Sequence, residues 1–326
     1  MESWSTPVST ASGRTHWWGR STAEFPPLIV ICGATATGKT GLSLALAQSI
    51  PGAEIISADS RQVYRGMDIG TAKVTAEQRA LVPHHGLDLA NPDEIVTAAD
   101  FQHAANEALG AIAARGGVAL LVGGTGLYLR AVARGMSLSE TGHDPGVRAD
   151  LERRLAGEGL QVLVAQLRSA APTVAARTDI ANPRRVVRAL ERVTIHGDQP
   201  PPEPRGYPAP SVWIGVAAEP AQQRDWISAR ARAQFASGLL DEAAGLRQRY
   251  DPGLRAFSAM GYHEAYAVLD GELNLEQAIE RDATRTWQFA RHQKTWFRSE
   301  PDIAWFDAPA DPATIRQDVA RVLRLD

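Results

Sequence analysis

A glycine loop between an apolar run and a helical pattern constrains this chain more than any other feature. The loop comprises Gly33, Ala34, Thr35, Ala36, Thr37, Gly38, Lys39 and Thr40. Glycines let backbone N–H groups surround an anion, and the following helix N-terminus adds partial positive charge. Lys39 adds a full charge, and the Thr40 hydroxyl can ligate Mg²⁺. The pattern predicts a polyphosphate site but not the compound; the simpler alternative is a turn in which Lys39 is solvated and Thr40 caps the helix.

Apolar runs and helical patterns alternate along most of the chain. The runs that predict strands are 28–32, 54–58, 118–122 and 212–216. The alternation is typical of an α/β fold, a P-loop NTPase-like parallel sheet flanked by helices. Because ligands bind at the carboxyl ends of parallel strands, we expect Lys39, Asp59 and Thr125 to converge on one crevice.

Composition shifts divide the chain into segments. Residues 1–26 are polar and predict a disordered extension, whereas 143–197 are helical and arginine-rich. A following stretch, 198–210, contains six prolines and predicts an irregular connection. We therefore expect a catalytic core, with C-terminal helices, built from 27–142 and 198–326, and a helical insertion at 143–197.

Length and charge restrict the class of protein. The chain has 326 residues, of which 44% are hydrophobic, and a net charge of −3. The total charge does not indicate nucleic-acid binding, but basic residues cluster at 184–192 and 281–298. No apolar run approaches the ~20 residues of a membrane span. The single cysteine, Cys32, fits a reducing compartment, and we expect a cytoplasmic protein; histidines and cysteine show no zinc-ligand spacing.

Asp59 is the main acidic candidate near the predicted phosphate site. It follows the run 54–58, whereas the run 118–122 ends in glycines and Thr125 without a carboxylate. A nucleotide hydrolase normally has an acidic metal residue and a group that orients water. Asp59 is therefore interpreted either as a Mg²⁺-shell or helix-capping residue, or as a general base.

Six segments resemble, in order, the signatures of the tRNA dimethylallyltransferases (tRNA isopentenyltransferases) of bacterial type. The segments are 59–73, 83–88, 122–129, 182–191, 260–264 and 293–298. The resemblance covers residues 28–310, and its match at 59–73 is far more specific than the glycine loop alone.

The resemblance implies transfer of a dimethylallyl group from dimethylallyl diphosphate to the exocyclic amine of the adenosine 3′ of a tRNA anticodon. It implies catalytic roles for Lys39, Asp59, Thr125 and Arg230, with the loop 33–40 holding the diphosphate and Thr40 holding Mg²⁺. Asp59 would accept the amine proton, because the adenine amine is a weak nucleophile. The family pattern also implies a monomer.

The resemblance further implies contacts with the tRNA anticodon stem-loop. The residues carried over are Asp59, Ser60, Arg61, Gln62, Thr125, Arg148, Arg185, Arg188, Gly261, Tyr262, Gln293, Lys294 and Arg298. Arg291, Lys294 and Arg298 recur at helical spacing beside two aromatic residues, a pattern that suits loop RNA. We expect Trp296 and Phe297 themselves to lie in the core.

Two segments depart from the family pattern, and two other enzyme classes remain as alternatives. The departures are at 95–98 and at 195–202, and the second puts a tRNA contact from that turn in doubt. An adenylate isopentenyltransferase shares the diphosphate chemistry but has no need of the basic helices. A small-molecule kinase or ATPase shares the loop alone. A tRNA-binding module without catalysis does not explain Lys39, Thr40 and Asp59 together.

Overall fold

The computed structural model describes residues 25–138 and 144–324. Its strands are β1 (Leu28–Gly33), β2 (Ala53–Ser57), β3 (His84–His85), β4 (Val118–Gly123), β5 (Ser211–Ala217) and β6 (Ile303–Asp307). Its α-helices are α1 (Lys39–Ser49), α2 (Ala76–Leu81), α3 (Ala98–Ala114), α4 (Gly126–Ala133), α5 (Pro145–Glu158), α6 (Leu160–Ala170), α7 (Pro172–Ala176), α8 (Pro183–His196), α9 (Pro220–Ala236), α10 (Leu239–Arg247), α11 (Tyr262–Leu269), α12 (Leu275–Arg298) and α13 (Pro312–Leu323). None of the helices in these ranges is both long and apolar enough to cross a bilayer. The extension predicted at 1–26 lies, except for its last two residues, outside the described ranges.

The six strands form one parallel sheet in the order β3-β2-β4-β1-β5-β6. Strand β1 pairs with β4 on one side and with β5 on the other. Every residue of β1 and of β4 is buried, which explains why both are continuous apolar runs in the sequence. The predicted parallel sheet flanked by helices is confirmed.

Helices cover both faces of the sheet because alternate strand residues point to opposite sides. Leu28 of β1 belongs to the buried cluster that includes Leu109 of α3. Its neighbour Ile29 belongs to a second cluster, which includes Ile315 of α13. This arrangement leaves the carboxyl ends of the strands free to carry loops.

The structure also contains elements that the sequence did not predict. Strand β3 has only two residues, and its His85 lies 2.7 Å from a carboxylate oxygen of Glu54, between Nε2 and Oε2. Strand β6 is the partly exposed edge of the sheet, and α13 follows it. Short or exposed elements lack a long apolar run, which is the signal used to predict the other strands.

The chain divides into two compact units. The first contains the residues up to Arg134 and from Gly206 onward, and includes the whole sheet. The second contains Gly135–Arg205. This unit contains more of the sequence than the insertion predicted at 143–197. The segments that lead into and out of its helices belong to it as well, and they are hydrogen-bonded to each other: Arg205 N–H donates to Gly135 O at 3.2 Å.

The second unit has a hydrophobic core of its own. Its helices α5, α6, α7 and α8 share a buried cluster that includes Leu151, Leu163, Val174 and Leu190. Helix α8 begins after Asn182, whose side chain accepts the N–H groups of its first turn. The unit therefore presents α8 in a fixed orientation on its own core, and its role in tRNA binding stays a prediction.

Candidate active site

A cavity of about 450 Å³ lies at the carboxyl ends of the central strands. Its lining includes Lys39 after β1, Asp59 after β2 and Thr125 after β4. Arg230 of α9 and Gln293 of α12 line it as well. The convergence expected for the three strand-end residues is therefore observed, and two C-terminal helices complete the enclosure.

The glycine loop has the geometry of an anion cradle. Gly38 precedes α1 in a left-handed conformation with φ of 84°, and the helix begins at Lys39. A Cβ atom at Gly33 would lie 2.4 Å from Val216 O, so only glycine fits there. Lys39 Nζ donates to Ala34 O at 2.6 Å. Burial, followed by the nearby charge of Arg230, lowers the pKa of Lys39 to about 8. The ammonium is still mostly protonated at pH 7, and the loop holds it in place before any ligand binds.

Thr35, in the middle of the loop, is held by side chains from distant helices. Its N–H donates to Gln293 Oε1 at 2.8 Å, and its carbonyl accepts from Gln223 Nε2 at 2.8 Å. Its hydroxyl accepts from Arg230 Nη1 at 3.1 Å. Because α9 supplies Gln223 and Arg230 and α12 supplies Gln293, both helices fix the loop, and Arg230 lies at the predicted diphosphate site.

Asp59 is fixed through one carboxylate oxygen. Its Oδ1 accepts N–H groups from Arg61 at 2.8 Å and Gln62 at 3.4 Å. The neighbouring Ser60 N–H donates to Thr125 Oγ1 at 3.0 Å, which links the loops after β2 and β4. No hydrogen-bond partner for Asp59 Oδ2 occurs among the described residues, so that oxygen is available to a ligand.

The side chains of Arg61 and Gln62 hydrogen-bond to other parts of the protein and stabilise the loop that follows Asp59. Both ends of the Gln62 amide are occupied: Ser57 Oγ donates to Oε1, and Nε2 donates to Thr71 O at 3.1 Å. Arg61 Nη1 donates to Arg255 O at 2.9 Å. The predicted contacts of Arg61 and Gln62 with tRNA are not tested by this geometry and stay predictions.

A buried lysine and a glutamate stabilise the rest of the segment 59–73. The fully buried Lys73 ammonium donates to Tyr64 O at 2.7 Å and forms ion pairs with Asp68 and Asp88. The carboxylate of Glu242 accepts the N–H groups of residues 68–70. It also accepts the hydroxyl of the fully buried Tyr262. Tyr262 thus supports this loop, and its predicted contact with tRNA stays a prediction, as does that of Gly261.

Asp282 of α12 is a carboxylate of the cavity that sequence reasoning missed. Its side chain accepts the Thr286 hydroxyl at 3.3 Å, and its residue is only 3% exposed. Burial and the nearby Glu264 raise the pKa of Asp282 to about 6, although Arg230 and Arg285 oppose the rise. The cavity therefore contains a second carboxylate near Arg230.

Helix α12, which supplies Gln293 to the cavity lining, also carries basic residues on its surface. Arg291 and Arg298 are exposed and Lys294 is half-buried, and none of the three forms a salt bridge with a described residue. Phe297 is buried, and Trp296 is partly buried beneath Arg130, whose guanidinium lies 4.5 Å from the ring centroid. The expected core positions of the two aromatic residues are confirmed for Phe297 and hold in part for Trp296.

The predicted RNA-binding arginines of the second unit have acidic neighbours. Arg185 Nη1 lies 3.2 Å from Asp179 Oδ2, and Arg188 Nη1 lies 2.7 Å from Glu191 Oε2. Arg148 Nε lies 3.8 Å from the same Glu191 oxygen. Glu191 is fully buried, so it orients Arg148 and Arg188 from beneath.

The cavity offers oxygen ligands suited to Mg²⁺. The Thr40 hydroxyl and the Asp59 carboxylate both line it. Mg²⁺ prefers such oxygen donors and keeps several waters when it binds substrate phosphates. Within residues 25–138 and 144–324, no cluster of three histidine, cysteine or acidic residues could hold a metal by itself. A Mg²⁺ ion that binds together with the diphosphate fits this donor set.

Three residues of the site have no local signal in the sequence. Gln223 contacts Thr35 across 188 positions, and Glu242 contacts Asp68 across 174. A polar residue on the buried face of an amphipathic helix is a clue, but that face is known only once the helix is packed. The same holds for Asp282.

Comparison with known proteins assigns the family. The model of the IPP transferase family matches residues 62–300. A tRNA dimethylallyltransferase of Roseiflexus castenholzii is 44% identical over 303 residues, which cover 91% of this chain and 97% of the relative. The crystal structure of a full-length tRNA isopentenylpyrophosphate transferase from Bacillus halodurans is 39% identical, with a TM-score of 0.68, and the match covers 91% of this chain and 97% of that one. A tRNA isopentenylpyrophosphate transferase structure from Staphylococcus epidermidis is 28% identical, with a TM-score of 0.66, over 92% of this chain and 99% of that one. These matches confirm the predicted resemblance and the P-loop NTPase-like fold: this chain belongs to the IPP transferase family, the family of the tRNA dimethylallyltransferases.

Proposed function

We propose that this enzyme transfers a dimethylallyl group from dimethylallyl diphosphate to the N6 amine of the adenosine 3′ of the anticodon in tRNA. Membership of the family supports the reaction class. One observation supports its assignment to this cavity: an anion cradle with Lys39 and Arg230 opens into the space that holds the unpartnered oxygen of Asp59. The leaving diphosphate and the Asp59 carboxylate that accepts the proton would thus lie in the same cavity.

The cradle acts on the departing side of the reaction. The carbon–oxygen bond breaks, its electron pair goes to the diphosphate, and the carbon gains allyl-cation character. Lys39, Arg230 and the loop N–H groups bind the diphosphate most strongly as its negative charge grows, which lowers the barrier. The Thr40 hydroxyl would hold a Mg²⁺ ion, which would supply further positive charge at the diphosphate.

Asp59 acts on the entering side. The adenine amine is a weak nucleophile because its lone pair is delocalised into the ring. As the new carbon–nitrogen bond forms, the nitrogen loses a proton, and Asp59 Oδ2 accepts it. The N–H groups of Arg61 and Gln62 hold Oδ1, so the carboxylate keeps its orientation. Thr125 supports this loop through Ser60.

The basic residues bind the RNA. A base in a stacked anticodon loop must be extruded before its amine reaches an enclosed site. Arg291, Lys294 and Arg298 lie on α12, the helix that also supplies Gln293 to the cavity lining, and Arg148, Arg185 and Arg188 of the second unit act as additional phosphate ligands. The enzyme acts as a cytoplasmic monomer in this proposal, with the anticodon stem-loop as its macromolecular partner.

The test is a comparison of acceptors. The protein is incubated with dimethylallyl diphosphate, Mg²⁺ and either unmodified tRNA or AMP, and the nucleosides are analysed by mass spectrometry. Dimethylallyladenosine from tRNA and none from AMP is the expected result. Modification of AMP alone identifies an adenylate isopentenyltransferase, and phosphate release from ATP without prenyl transfer identifies an ATPase; either result overturns the proposal.

A further inference from the structure

The glycine loop is held from outside by two buried glutamines that the proposed chemistry does not use. Gln223 is 3% exposed and Gln293 is 8% exposed. Gln293 accepts the Thr35 N–H, and Gln223 donates to the Thr35 carbonyl, each at 2.8 Å. Both polar groups of the Thr35 backbone are thus occupied by side chains and do not face the diphosphate.

These two contacts set the orientation of two successive peptide planes. In a trans peptide, the carbonyl of one residue and the N–H of the next point in opposite directions. With Thr35 N–H turned to Gln293, the Ala34 carbonyl points the other way, where it accepts Lys39 Nζ at 2.6 Å and Thr37 Oγ1 at 3.0 Å. With the Thr35 carbonyl turned to Gln223, the Ala36 N–H is turned away from Gln223.

The loop needs such support because one of its residues is strained. Ala36 has a φ of 60°, in the left-handed region that a residue with a side chain adopts only at a cost. A strained residue persists when the surrounding structure over-determines it. Two buried hydrogen bonds on the residue just before Ala36 provide that restraint.

Gln293 also reaches the other half of the site. Its Nε2 donates to Gly124 O at 2.9 Å. The next residue, Thr125, accepts the N–H of Ser60, which follows Asp59. One amide therefore spans the loop that binds the diphosphate and the loop that fixes the base.

We propose that Gln223 and Gln293 are positioning residues that set the peptide planes around Thr35 and thereby the affinity of the loop for the leaving diphosphate. The proposal rests on the proposed function, in which this loop binds that diphosphate. It assigns Gln293 a role inside the protein that is separate from any contact with tRNA.

The first experiment measures binding of inorganic diphosphate with Mg²⁺ by isothermal titration calorimetry. Gln223→Leu, which removes one buried hydrogen bond to the loop, is expected to raise the Kd about tenfold. Gln293→Leu removes two, to Thr35 N–H and to Gly124 O, and should raise the Kd at least as much. The matched controls are Gln222→Leu on α9 and Gln288→Leu on α12, because both glutamines are exposed and have no hydrogen-bond partner among the described residues. The affinity of Gln223→Leu for an anticodon stem-loop should stay within about twofold, a pattern that general loss of structure would not produce.

The second experiment is a rescue. Glycine adopts the left-handed region without strain, so Ala36→Gly added to Gln223→Leu should restore most of the lost diphosphate affinity. In the transfer reaction, Gln223→Leu should raise the KM for dimethylallyl diphosphate more than it lowers kcat. This rescue decides the question even if Gln293→Leu fails to fold.

The possible failures are distinguishable. If the wild-type protein transfers the prenyl group but Gln223→Leu binds diphosphate as the controls do, the positioning role is wrong and the proposed function stands. If Ala36→Gly gives no recovery, the argument from strain is wrong. If the wild-type protein binds no diphosphate at all, both proposals are wrong.

Discussion

Replacing Asp282 with asparagine is expected to stabilise the folded protein at pH 8. Burial, with a contribution from Glu264, raises the pKa of Asp282 from 3.8 to about 6 despite the Thr286 hydrogen bond and the charges of Arg230 and Arg285. Because one pKa unit corresponds to ~1.36 kcal/mol, the ionised carboxylate lowers the free energy of unfolding by about 3 kcal/mol.

The pH dependence has a definite sign. The pKa of Asp282 is higher in the folded state than in the unfolded one, so the folded state binds the proton more tightly. The cost is absent well below pH 3.8, where the carboxyl group is protonated in both states, and complete above about pH 7. Asparagine is neutral throughout, so its advantage over aspartate grows as the pH rises.

Urea denaturation followed by circular dichroism measures this difference. Between pH 4.5 and pH 8, the gain in free energy of unfolding for Asp282→Asn should rise from about 1 to about 3 kcal/mol. Asp225→Asn is the matched control, because Asp225 is exposed on α9, and its effect should stay within about 0.5 kcal/mol. A gain that does not depend on pH, or a loss of stability at pH 8, would show that the ionised Asp282 carboxylate does not destabilise the fold.

Three further substitutions test the proposed base, the proposed tRNA contact and the buried lysine. Asp59→Ala should abolish transfer, measured by nucleoside mass spectrometry, while tRNA affinity stays within about twofold; substantial turnover would remove Asp59 as the base. Arg298→Ala should weaken tRNA binding and reduce the slope of log affinity against log salt by about one in a filter-binding assay. The control is Arg321→Ala, which removes a cation paired with an aspartate of its own helix and should leave the slope unchanged. Equal slopes for the two variants would contradict the contact. Lys73→Met should lower the free energy of unfolding by about 2–3 kcal/mol, because the Tyr64 carbonyl and two carboxylates lose the donor that they share. Urea denaturation measures this difference, and an unchanged midpoint would contradict it.

The central sheet could be predicted because its signals are local. Strands β1 and β4 are buried on both faces, so each appears as a continuous apolar run followed by glycines. Glycine is needed at Gly33 because any larger residue would strike Val216 O. The positions of the glycine loop, its lysine and the acid after β2 in one cavity could therefore be predicted from spacing alone, whereas the substrate class was implied by the family resemblance.

The remaining features depend on contacts between distant residues. Strand β3 exists because His84 and His85 pair with β2, and two residues carry no periodicity. The supports of the glycine loop come from α9 and α12, at positions where a polar residue looks like part of a solvated helix face. In the sequence, Glu242 is an ordinary charged helix residue, and only the structure shows that its carboxylate accepts the N–H groups of residues 68–70.

Gln62 shows how the resemblance and the structure give different kinds of information. The resemblance places it among residues that contact tRNA, whereas the structure shows its amide bonded to Ser57 and to the carbonyls of Thr71 and Ala72. A family motif does not separate a residue that touches the substrate from one that shapes the loop around it. The two roles are separated by contacts, which the sequence does not contain.

In the proposed reaction, one cavity breaks the bond to diphosphate and forms the bond to a tRNA adenosine. The most direct measurement follows dimethylallyl diphosphate labelled in its carbon chain, with Mg²⁺ and an unmodified anticodon stem-loop, and quantifies labelled nucleoside and free diphosphate together. Equal amounts of the two products are expected, with the label on the adenosine 3′ of the anticodon. Diphosphate released without labelled RNA, or single phosphate released instead, would contradict it.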